Sequence, residues 1–286
     1  DSTIGASTVL LPFGGRTQGS ETQVSVQKLP VEGYTETASI MAYGYNPFLT
    51  SWSPYHGAAY AVVEACAKAV AAGAEFGGMR FSYQEYFERM HTARSWGKPL
   101  AALLGALRMQ VELGLPSIGG KDSMSGTFQQ INVPPMLMAF GITTVDARRV
   151  ISTDLKEAGH TLYLLKHTPK ANRMPDTAAL RTLWNYASER IAAGRIVAGY
   201  AVGFGGVAEA LAKMAFGNGI GAEVELPEEA LFAYDYGSIV VESTVELDAP
   251  FAVRLGRTTA DEALTVNGER MPLDTLRRAN SERFAR

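Results

Sequence analysis

The segment from Ser53 to Gly73 gives the clearest structural signal in the chain. Ser53 is a preferred N-cap residue, Pro54 follows at the first helical position, and Gly73 stands where a helix would end. Apolar residues recur between them with the 3.6-residue period of a helix: Ala59, Val62, Val63, Cys66 and Val70. The β-prone residues 36–45 come just before and stop at Asn46-Pro47. The sequence therefore predicts a strand followed by an amphipathic helix.

The remaining elements predict a mixed fold. A second helix is expected from near Pro99 to Gly114, with a buried face formed by Leu100, Leu103, Leu104, Leu107 and Val111. A short strand at 115–118 and a long buried strand at 135–145 follow, and residues 146–159 are polar and rich in turn formers. Strands and helices mix again beyond them without regular alternation. We expect an α+β fold in two domains, 1–150 and 151–286, with sheets covered by helices on one side.

Composition excludes several classes of protein. The 286 residues carry a net charge of -3, which gives no overall positive field for binding a nucleic acid. Cys66 is the only cysteine, so no intrachain disulfide or cysteine zinc cluster can form, which favours a cytoplasmic location. No apolar run approaches the roughly 20 residues that span a bilayer, so no membrane association is expected. The chain begins at Asp1 instead of Met, which indicates a piece of a longer protein.

Residues 119–126 form the segment most typical of a binding site. Its sequence is Gly119-Gly120-Lys121-Asp122-Ser123-Met124-Ser125-Gly126. Glycines let backbone N–H groups approach phosphate oxygens, Lys121 can offset phosphate charge, and Asp122 can hold a magnesium ion. The pattern is not a Walker loop, because Leu115 and Asp122 replace residues that such a loop requires. A polar surface loop is the alternative interpretation.

Glu64 and Lys68 lie four residues apart on the predicted helix. Glu64 is a candidate second metal ligand, whereas the alternative is an ordinary ion pair along one helix. Four arginines near the carboxyl terminus, at positions 277, 278, 283 and 286, fit a solvated face. No serine elbow is present, and Cys66 falls within the apolar stripe of a helix. The sequence therefore offers no candidate for nucleophilic catalysis.

Several motifs together resemble the bacterial phosphoribosylformylglycinamidine synthase family. They are residues 119–125, 133–140, 145–149 and 196–216, and the likeness extends over nearly the whole chain. It corresponds to the second of two repeated halves of the family's synthetase core. The resemblance implies the aminoimidazole ribonucleotide synthetase fold, in which an N-terminal α+β domain supplies strands to a barrel-like pairing and a C-terminal α+β domain follows.

The resemblance also implies a reaction and partners. The complete family enzyme uses ATP to phosphorylate the amide oxygen of formylglycinamide ribonucleotide, and ammonia then displaces phosphate to leave an amidine in purine synthesis. A separate glutaminase domain supplies that ammonia. The implied partners are this domain and the other synthetase half, with a homodimer of the fragment through residues 1–150 as a further expectation. The fragment alone is expected to be inactive.

In the family, one of the two pseudo-symmetric sites is auxiliary and holds a nucleotide, ATP or ADP, with magnesium. The resemblance assigns Glu64 and Asp122 to the metal. It places Ser123 and Ser125, with Gly119, Gly120 and Lys121, near the phosphates. Arg16 and Thr17 match an Arg-Thr-x-Gly turn and are candidates for binding phosphate or ribose.

Three departures from the family pattern affect this site. Lys68 replaces an asparagine, Gly33 replaces an aspartate, and Phe204 replaces an aspartate of a conserved Asp-Gly-Gly turn. Losing two oxygen ligands and gaining an ammonium weakens magnesium binding. We therefore expect a degenerate auxiliary site with weak or no magnesium and nucleotide binding, where Lys68 pairs with a carboxylate or phosphate. The alternatives are a non-catalytic assembly module and a stand-alone ATP-dependent kinase or synthase.

Overall fold

The computed structural model describes residues 5–282 and contains two main sheets. The elements of the first half are β1 (Phe13–Gly14), β2 (Ser20–Glu21), β3 (Ser25–Lys28), β4 (Thr37–Gly44), α1 (Pro47–Trp52), α2 (Pro54–Ala71), β5 (Arg80–Tyr86), α3 (Ala93–Leu113), β6 (Ser117–Lys121), β7 (Thr127–Phe128), β8 (Ile131–Asn132) and β9 (Met136–Asp146). Those of the second half are β10 (Thr161–Leu165), α4 (Thr177–Ala192), β11 (Ile196–Ala201), α5 (Gly206–Phe216), β12 (Gly221–Val224), α6 (Glu228–Leu231), β13 (Ile239–Ser243), β14 (Ala252–Thr259), β15 (Ala263–Val266), β16 (Glu269–Pro272) and α7 (Leu273–Glu282).

The first sheet has the strand order β3-β4-β9-β5-β6. Strand β9 runs antiparallel to both β4 and β5, and β6 runs parallel to β5. The carboxyl ends of β4, β5 and β6 therefore meet at one edge of the sheet. Helices α2 and α3 cover one face, where small side chains let the elements approach closely: a Cβ at Gly44 would overlap the Ala61 carbonyl oxygen.

The second sheet has the order β11-β13-β10-β14-β12-β15-β16 and is covered on both faces. Tyr163 and Leu165 face a core that also contains residues of α2 and α4, whereas Leu162 and Leu164 face a second core with α5. The expectation that helices cover the sheets on one side holds for the first sheet and is wrong for the second. Consecutive residues of β10 are apolar, so both of its faces are apolar, as a strand buried on both faces requires.

The amino-terminal segment packs against the second half of the chain. The hydroxyl of Ser20 donates to the Lys213 carbonyl at 2.5 Å, and the side chain of Gln23 exchanges two hydrogen bonds with the backbone of Ala201. Each main sheet nevertheless draws its strands from only one side of residue 150. The division into domains 1–150 and 151–286 stays a prediction.

The predicted α+β class and several elements are confirmed. The structure has the helix that starts at Pro54, the strand before it and the long strand at 136–146. The sequence missed β5, whose residues alternate between charged, polar and aromatic types. The strand after α3 is shifted to 117–121, so that Gly119, Gly120 and Lys121 belong to β6. The described residues end with helix α7, so two arginines of the predicted carboxyl-terminal cluster, Arg283 and Arg286, lie outside them.

The prediction for the second helix is wrong in its start and in its buried face. Helix α3 begins at Ala93, capped by Thr92, and Pro99 lies inside it. The five residues expected to be buried, Leu100, Leu103, Leu104, Leu107 and Val111, are 47–73% exposed. The buried face instead contains small residues such as Ala102, Gly105 and Ala106 against α2. The apolar stripe of α3 is therefore a surface feature.

A second apolar surface lies on the face of the first sheet that no described helix covers. Met41 and Ile142 are cross-strand neighbours on β4 and β9, and they are 46% and 36% exposed. Tyr43 and Phe140 form the next exposed pair, with ring centroids 6.3 Å apart. We call these four residues the open face. Within residues 5–282, no helix is long and apolar enough to cross a membrane.

Two glycines of α3 test the close packing of α2 and α3. A Cβ at Gly105 would overlap the Tyr55 carbonyl oxygen, whereas one at Gly97 would meet open space. We expect Gly105→Ala to lower the free energy of unfolding by about 1–3 kcal/mol through overpacking. The matched control Gly97→Ala should raise it by about 0.5–1 kcal/mol, because alanine favours helix. Urea denaturation measures both; equal effects of the two substitutions would contradict the packing described here.

Candidate functional site

Glu64 and Lys68 form an ion pair on α2, next to the end of β4. Both belong to α2, one turn apart, and Oε1 of Glu64 lies 2.8 Å from Nζ of Lys68. The other oxygen of Glu64 accepts a hydrogen bond from the backbone N–H of Tyr45 at 3.0 Å, just past the end of β4. Burial raises the pKa of Glu64 above its ordinary value, and the ammonium of Lys68 opposes that shift. Glu64 is only 8% exposed, so this pair is largely shielded from water.

The surroundings of Lys68 do not fit a magnesium ion. Its ammonium also donates to the Tyr43 carbonyl at 2.9 Å and lies 4.5 Å from the centroid of the Tyr43 ring. Both oxygens of Glu64 already have partners, and a cation in contact with Lys68 would meet like charge. The residues present therefore satisfy one another without a metal.

Helix α5 contributes a second pair of the same kind. Glu209 and Lys213 are one turn apart with 2.8 Å between Oε1 and Nζ, and Lys213 also contacts Glu21 at 2.7 Å. Oε2 of Glu209 accepts from the backbone N–H of Gly205 at 2.8 Å. Glu209 acts on Glu64 as a like charge and raises its pKa. The sequence analysis did not identify Glu209 and Lys213, although a glutamate and a lysine four residues apart, just after a glycine-rich turn, indicate an ion pair at that place.

Aromatic residues form further contacts between the two halves. The ring of Phe204 stacks on Phe48, with centroids 5.3 Å apart, and lies 5.1 Å from the ring of Tyr234. The buried side-chain amide of Asn46 donates to the hydroxyl of Tyr236 at 2.8 Å. The position predicted to have lost a metal-binding aspartate thus holds part of an aromatic contact between the two halves.

The residues of the 119–126 segment lie at the end of β6. Asp122 follows the last registered pair of β5 and β6, Gln84 with Lys121, and is exposed. Burial raises the pKa of Glu85, at the end of β5, and the negative charge of Asp122 raises it further, to about 7. The hydroxyls of Ser123 and Ser125 are 3.0 Å apart. Glu85 is a further site residue that sequence reasoning missed, because β5 itself was missed.

Arg16 and Thr17 lie at the other end of α5. The guanidinium of Arg16 donates to the Asn218 carbonyl at 2.9 Å, and the Thr17 hydroxyl donates to the carbonyls of Phe216 and Gly217. Glu209, whose charge acts on Glu64, lies in the first turn of this 11-residue helix, which is about 16 Å long. In this structure both residues therefore fasten the amino-terminal segment to the second half.

The predicted site residues thus fall into three places. Glu64 and Lys68 are at the end of β4, and Gly119 to Ser125 are at the end of β6, on the same edge of the sheet. Strands β9 and β5 lie between these ends, a separation of about 14 Å. Arg16 and Thr17 are in the third place, at the carboxyl end of α5. Among residues 5–282, no group of three or more histidine, cysteine or acidic residues is arranged to hold a metal.

Comparison with known proteins agrees with this fold. A family model described as AIR synthase related protein, C-terminal domain, matches residues 151–271. Phosphoribosylformylglycinamidine synthase subunit PurL of Thermoplasma acidophilum is 24% identical over 301 residues, which cover 92% of this chain and 38% of that protein. The same subunit of a Nocardioides species is 29% identical over 201 residues, or 59% of this chain and 26% of that protein.

Solved structures give the same result. PurL of Thermotoga maritima complexed with FGAR has a TM-score of 0.69 at 14% identity, over 93% of this chain and 49% of that one. The fold is that of AIR synthase-related proteins. Thiamine monophosphate kinase of Aquifex aeolicus also matches, with a TM-score of 0.57 at 14% identity, over 84% of this chain and 91% of that one. The resemblance to PurL is confirmed, and the chain spans about two fifths of the full-length curated relatives, 38% and 39%.

The ion pair of Glu64 and Lys68 predicts that replacing Lys68 lowers the free energy of unfolding by an amount that depends on pH. Replacing Lys68 by Met leaves the Glu64 carboxylate buried without its cation, which costs about 3–5 kcal/mol when Glu64 is ionised. Without Lys68, burial raises the pKa of Glu64 further. The loss of stability should therefore be small below pH 4.5, the ordinary pKa of a glutamate, and should grow as the pH rises above that value.

Urea denaturation at several pH values tests this, with Lys68→Met/Glu64→Gln as the control. The double variant should recover most of the lost stability at neutral pH because no buried charge remains. A loss of stability for Lys68→Met that is the same at pH 4 and pH 7 would contradict the proposed role of the pair.

Proposed function

We propose that the chain is the auxiliary-site half of a phosphoribosylformylglycinamidine synthase. The complete protein would use ATP to convert the amide of formylglycinamide ribonucleotide to an amidine, with ammonia from glutamine. This half would hold a degenerate nucleotide site and have no activity alone. The curated relatives named PurL support the first statement, and solved PurL structures with ATP, ADP and AMPPCP support a nucleotide site in the fold.

One observation carries the proposal of a degenerate site. The ammonium of Lys68 lies 2.8 Å from Glu64, the carboxylate assigned to the metal. The ammonium is directed at both Glu64 and the Tyr43 carbonyl, so it neutralises Glu64 but has only one N–H donor left for a phosphate oxygen and offers no coordination position. The stacked ring of Phe204 supplies no oxygen ligand either. The charge of the family's metal would thus be replaced by a charge built into the chain.

Calorimetric titration with ADP, with and without magnesium, tests this proposal. We expect the unmodified chain to bind magnesium and ADP with a Kd no tighter than about 1 mM. Lys68→Asn combined with Phe204→Asp removes the ammonium and adds an oxygen ligand, and should strengthen magnesium-dependent binding at least about tenfold. Micromolar, magnesium-dependent binding of ADP by the unmodified chain would overturn the proposal.

The open face supports a second part of the proposal, which concerns partners. Met41, Tyr43, Phe140 and Ile142 are apolar and exposed on the face of the first sheet that no described helix covers. Apolar faces of this kind are normally buried against another protein surface. We infer that the other synthetase half covers the open face in the complete protein, and that a second copy covers it in the isolated fragment.

Analytical ultracentrifugation tests the self-association. The isolated chain should dimerise, and Met41→Glu should shift it towards monomer because a carboxylate would be buried next to Ile142 of β9. Leu103→Glu, an equally exposed apolar position on α3, is the control and should leave the dimer intact if the open face forms it. The reverse order of effects would assign self-association to the stripe of α3.

A second candidate function is a stand-alone kinase. It is favoured by the thiamine monophosphate kinase of Aquifex aeolicus, 91% of which this chain covers. The pairing of Lys68 with Glu64 disfavours it, since a kinase needs magnesium at the transferred phosphate. Release of ADP from ATP and magnesium by the isolated chain would favour the kinase over the degenerate site.

A further inference from the structure

A cavity of about 760 Å³ lies along α5 in the second half of the chain. Its walls come from one flank of α5, from α6, from the strands β15 and β16, and from α7. Cavities of this size with a mainly apolar lining are typical of small-molecule binding sites. The apolar lining includes Ala208, Leu211 and Ala212 of α5, Leu264 and Val266 of β15, and Leu276 of α7.

Hydrogen bonds within the chain hold the walls of this cavity in place. Asn267, in the turn between β15 and β16, accepts from the backbone N–H of Leu226 at 3.1 Å and donates to the Leu226 carbonyl at 2.9 Å, just before α6 begins. The guanidinium of Arg277 on α7 donates to the Phe216 carbonyl at the end of α5 at 2.8 Å. The cavity is therefore formed before any ligand binds, so a ligand need not supply the free energy of ordering it.

The charged residues that line the cavity are mostly acidic. Glu209 and Lys213 of α5 pair with each other at 2.8 Å, so their charges offset one another. Glu228 on α6 and Glu269 on β16 belong to other walls, and within residues 5–282 neither forms an ion pair. The cavity therefore presents uncompensated negative charge, which attracts cations and repels anions such as phosphates.

An exposed aromatic ring lines the same cavity. The side chain of Phe232, just after α6, is 65% exposed, and within residues 5–282 its ring stacks on no other aromatic ring. The other aromatic residue of the lining, Phe204, already contacts Phe48 and Tyr234. The face of an aromatic ring attracts ammonium, guanidinium and quaternary ammonium groups. Phe232 thus adds to the attraction that the carboxylates exert on a cation.

We propose that the cavity binds an amphiphilic organic cation, in which an apolar body carries an amine, guanidinium or quaternary ammonium group. The apolar body occupies the part lined by α5, β15 and α7, where its burial supplies most of the affinity. The cation contacts Phe232 and is attracted by Glu228 and Glu269, which determine the sign of the charge that is accepted. This site does not rest on the proposed nucleotide site, since its carboxylates repel phosphates.

Three ligands with the same apolar body test the proposal. Phenylbutylamine, phenylbutanol and phenylbutyrate are positive, neutral and negative at neutral pH, and titrations followed by ligand-observed NMR give the Kd of each. We expect the amine to bind with a Kd below about 1 mM and at least about fivefold more tightly than the alcohol, with the butyrate weaker still. Equal affinity for all three ligands, or no detectable binding of the amine, would overturn the proposal.

Two double variants test whether the carboxylates of the cavity cause this preference. Glu228→Gln/Glu269→Gln should reduce the preference for the amine over the alcohol to about twofold or less, because only the aromatic ring then attracts the cation. Glu225→Gln/Glu229→Gln removes two carboxylates that do not line the cavity and should keep the full preference. All four glutamates are exposed, so neither double variant disturbs the core. An equal loss of preference in both would show a general effect of charge and overturn the proposal.

Filling the cavity tests the position of the apolar body. Ala212→Phe places a large side chain in the lining and should weaken the amine and the alcohol alike, at least about fivefold. Unchanged binding of both ligands by this variant, with its fold checked by thermal unfolding, would place the apolar body elsewhere and contradict the proposal. None of these measurements uses ADP or magnesium, so the degenerate nucleotide site is tested independently.

Discussion

The burial of α2 on all sides determines most of the structure. Thirteen of its 18 residues are buried, and most of them are alanine, valine or glycine. Small side chains let the first sheet approach one side of the helix while α3, α4 and β11 approach the others. Since the helix is surrounded, any polar group on it must find a partner within reach. Glu64 and Lys68 do so by pairing with each other and with the backbone at the end of β4.

The sequence predicted the elements whose apolar pattern reflects burial within the chain. Helix α2 was predicted correctly because its stripe faces the core, and β9 because it is long and apolar. The same reasoning failed for α3, whose leucines repeat at helical spacing but face outward. Periodicity reveals that a face is apolar and cannot tell whether the chain itself or a partner covers it. Two such apolar surfaces are exposed on a chain that spans 38% of the length of a curated relative.

The candidate site was only partly predictable for a different reason. Glu64 and Lys68 could be paired from their spacing alone, because one helical turn brings them together. Glu209 and Glu85 could not be assigned to the site, because their positions depend on how α5 meets α2 and on the register of β5 with β6. Arg16 and Thr17 were assigned to phosphate or ribose binding by motif, and this stays a prediction; in the structure they donate to carbonyls at and just beyond the end of α5. These differences between the predicted and the observed site arise from long-range packing, which cannot be read from a single sequence.

The buried carboxylates at the carboxyl ends of β4 and β5 have opposite electrostatic surroundings. At the end of β4, the carboxylate has an ammonium at 2.8 Å on its own helix, so its neutralisation is fixed by folding and independent of the solvent. At the end of β5, Glu85 has a second carboxylate as its neighbour and an oxygen without a partner. The ammonium of Lys68 neutralises the first carboxylate, whereas burial and the negative charge of Asp122 favour the protonated form of the second. The charge balance at each strand end therefore follows from which residue lies next to its carboxylate.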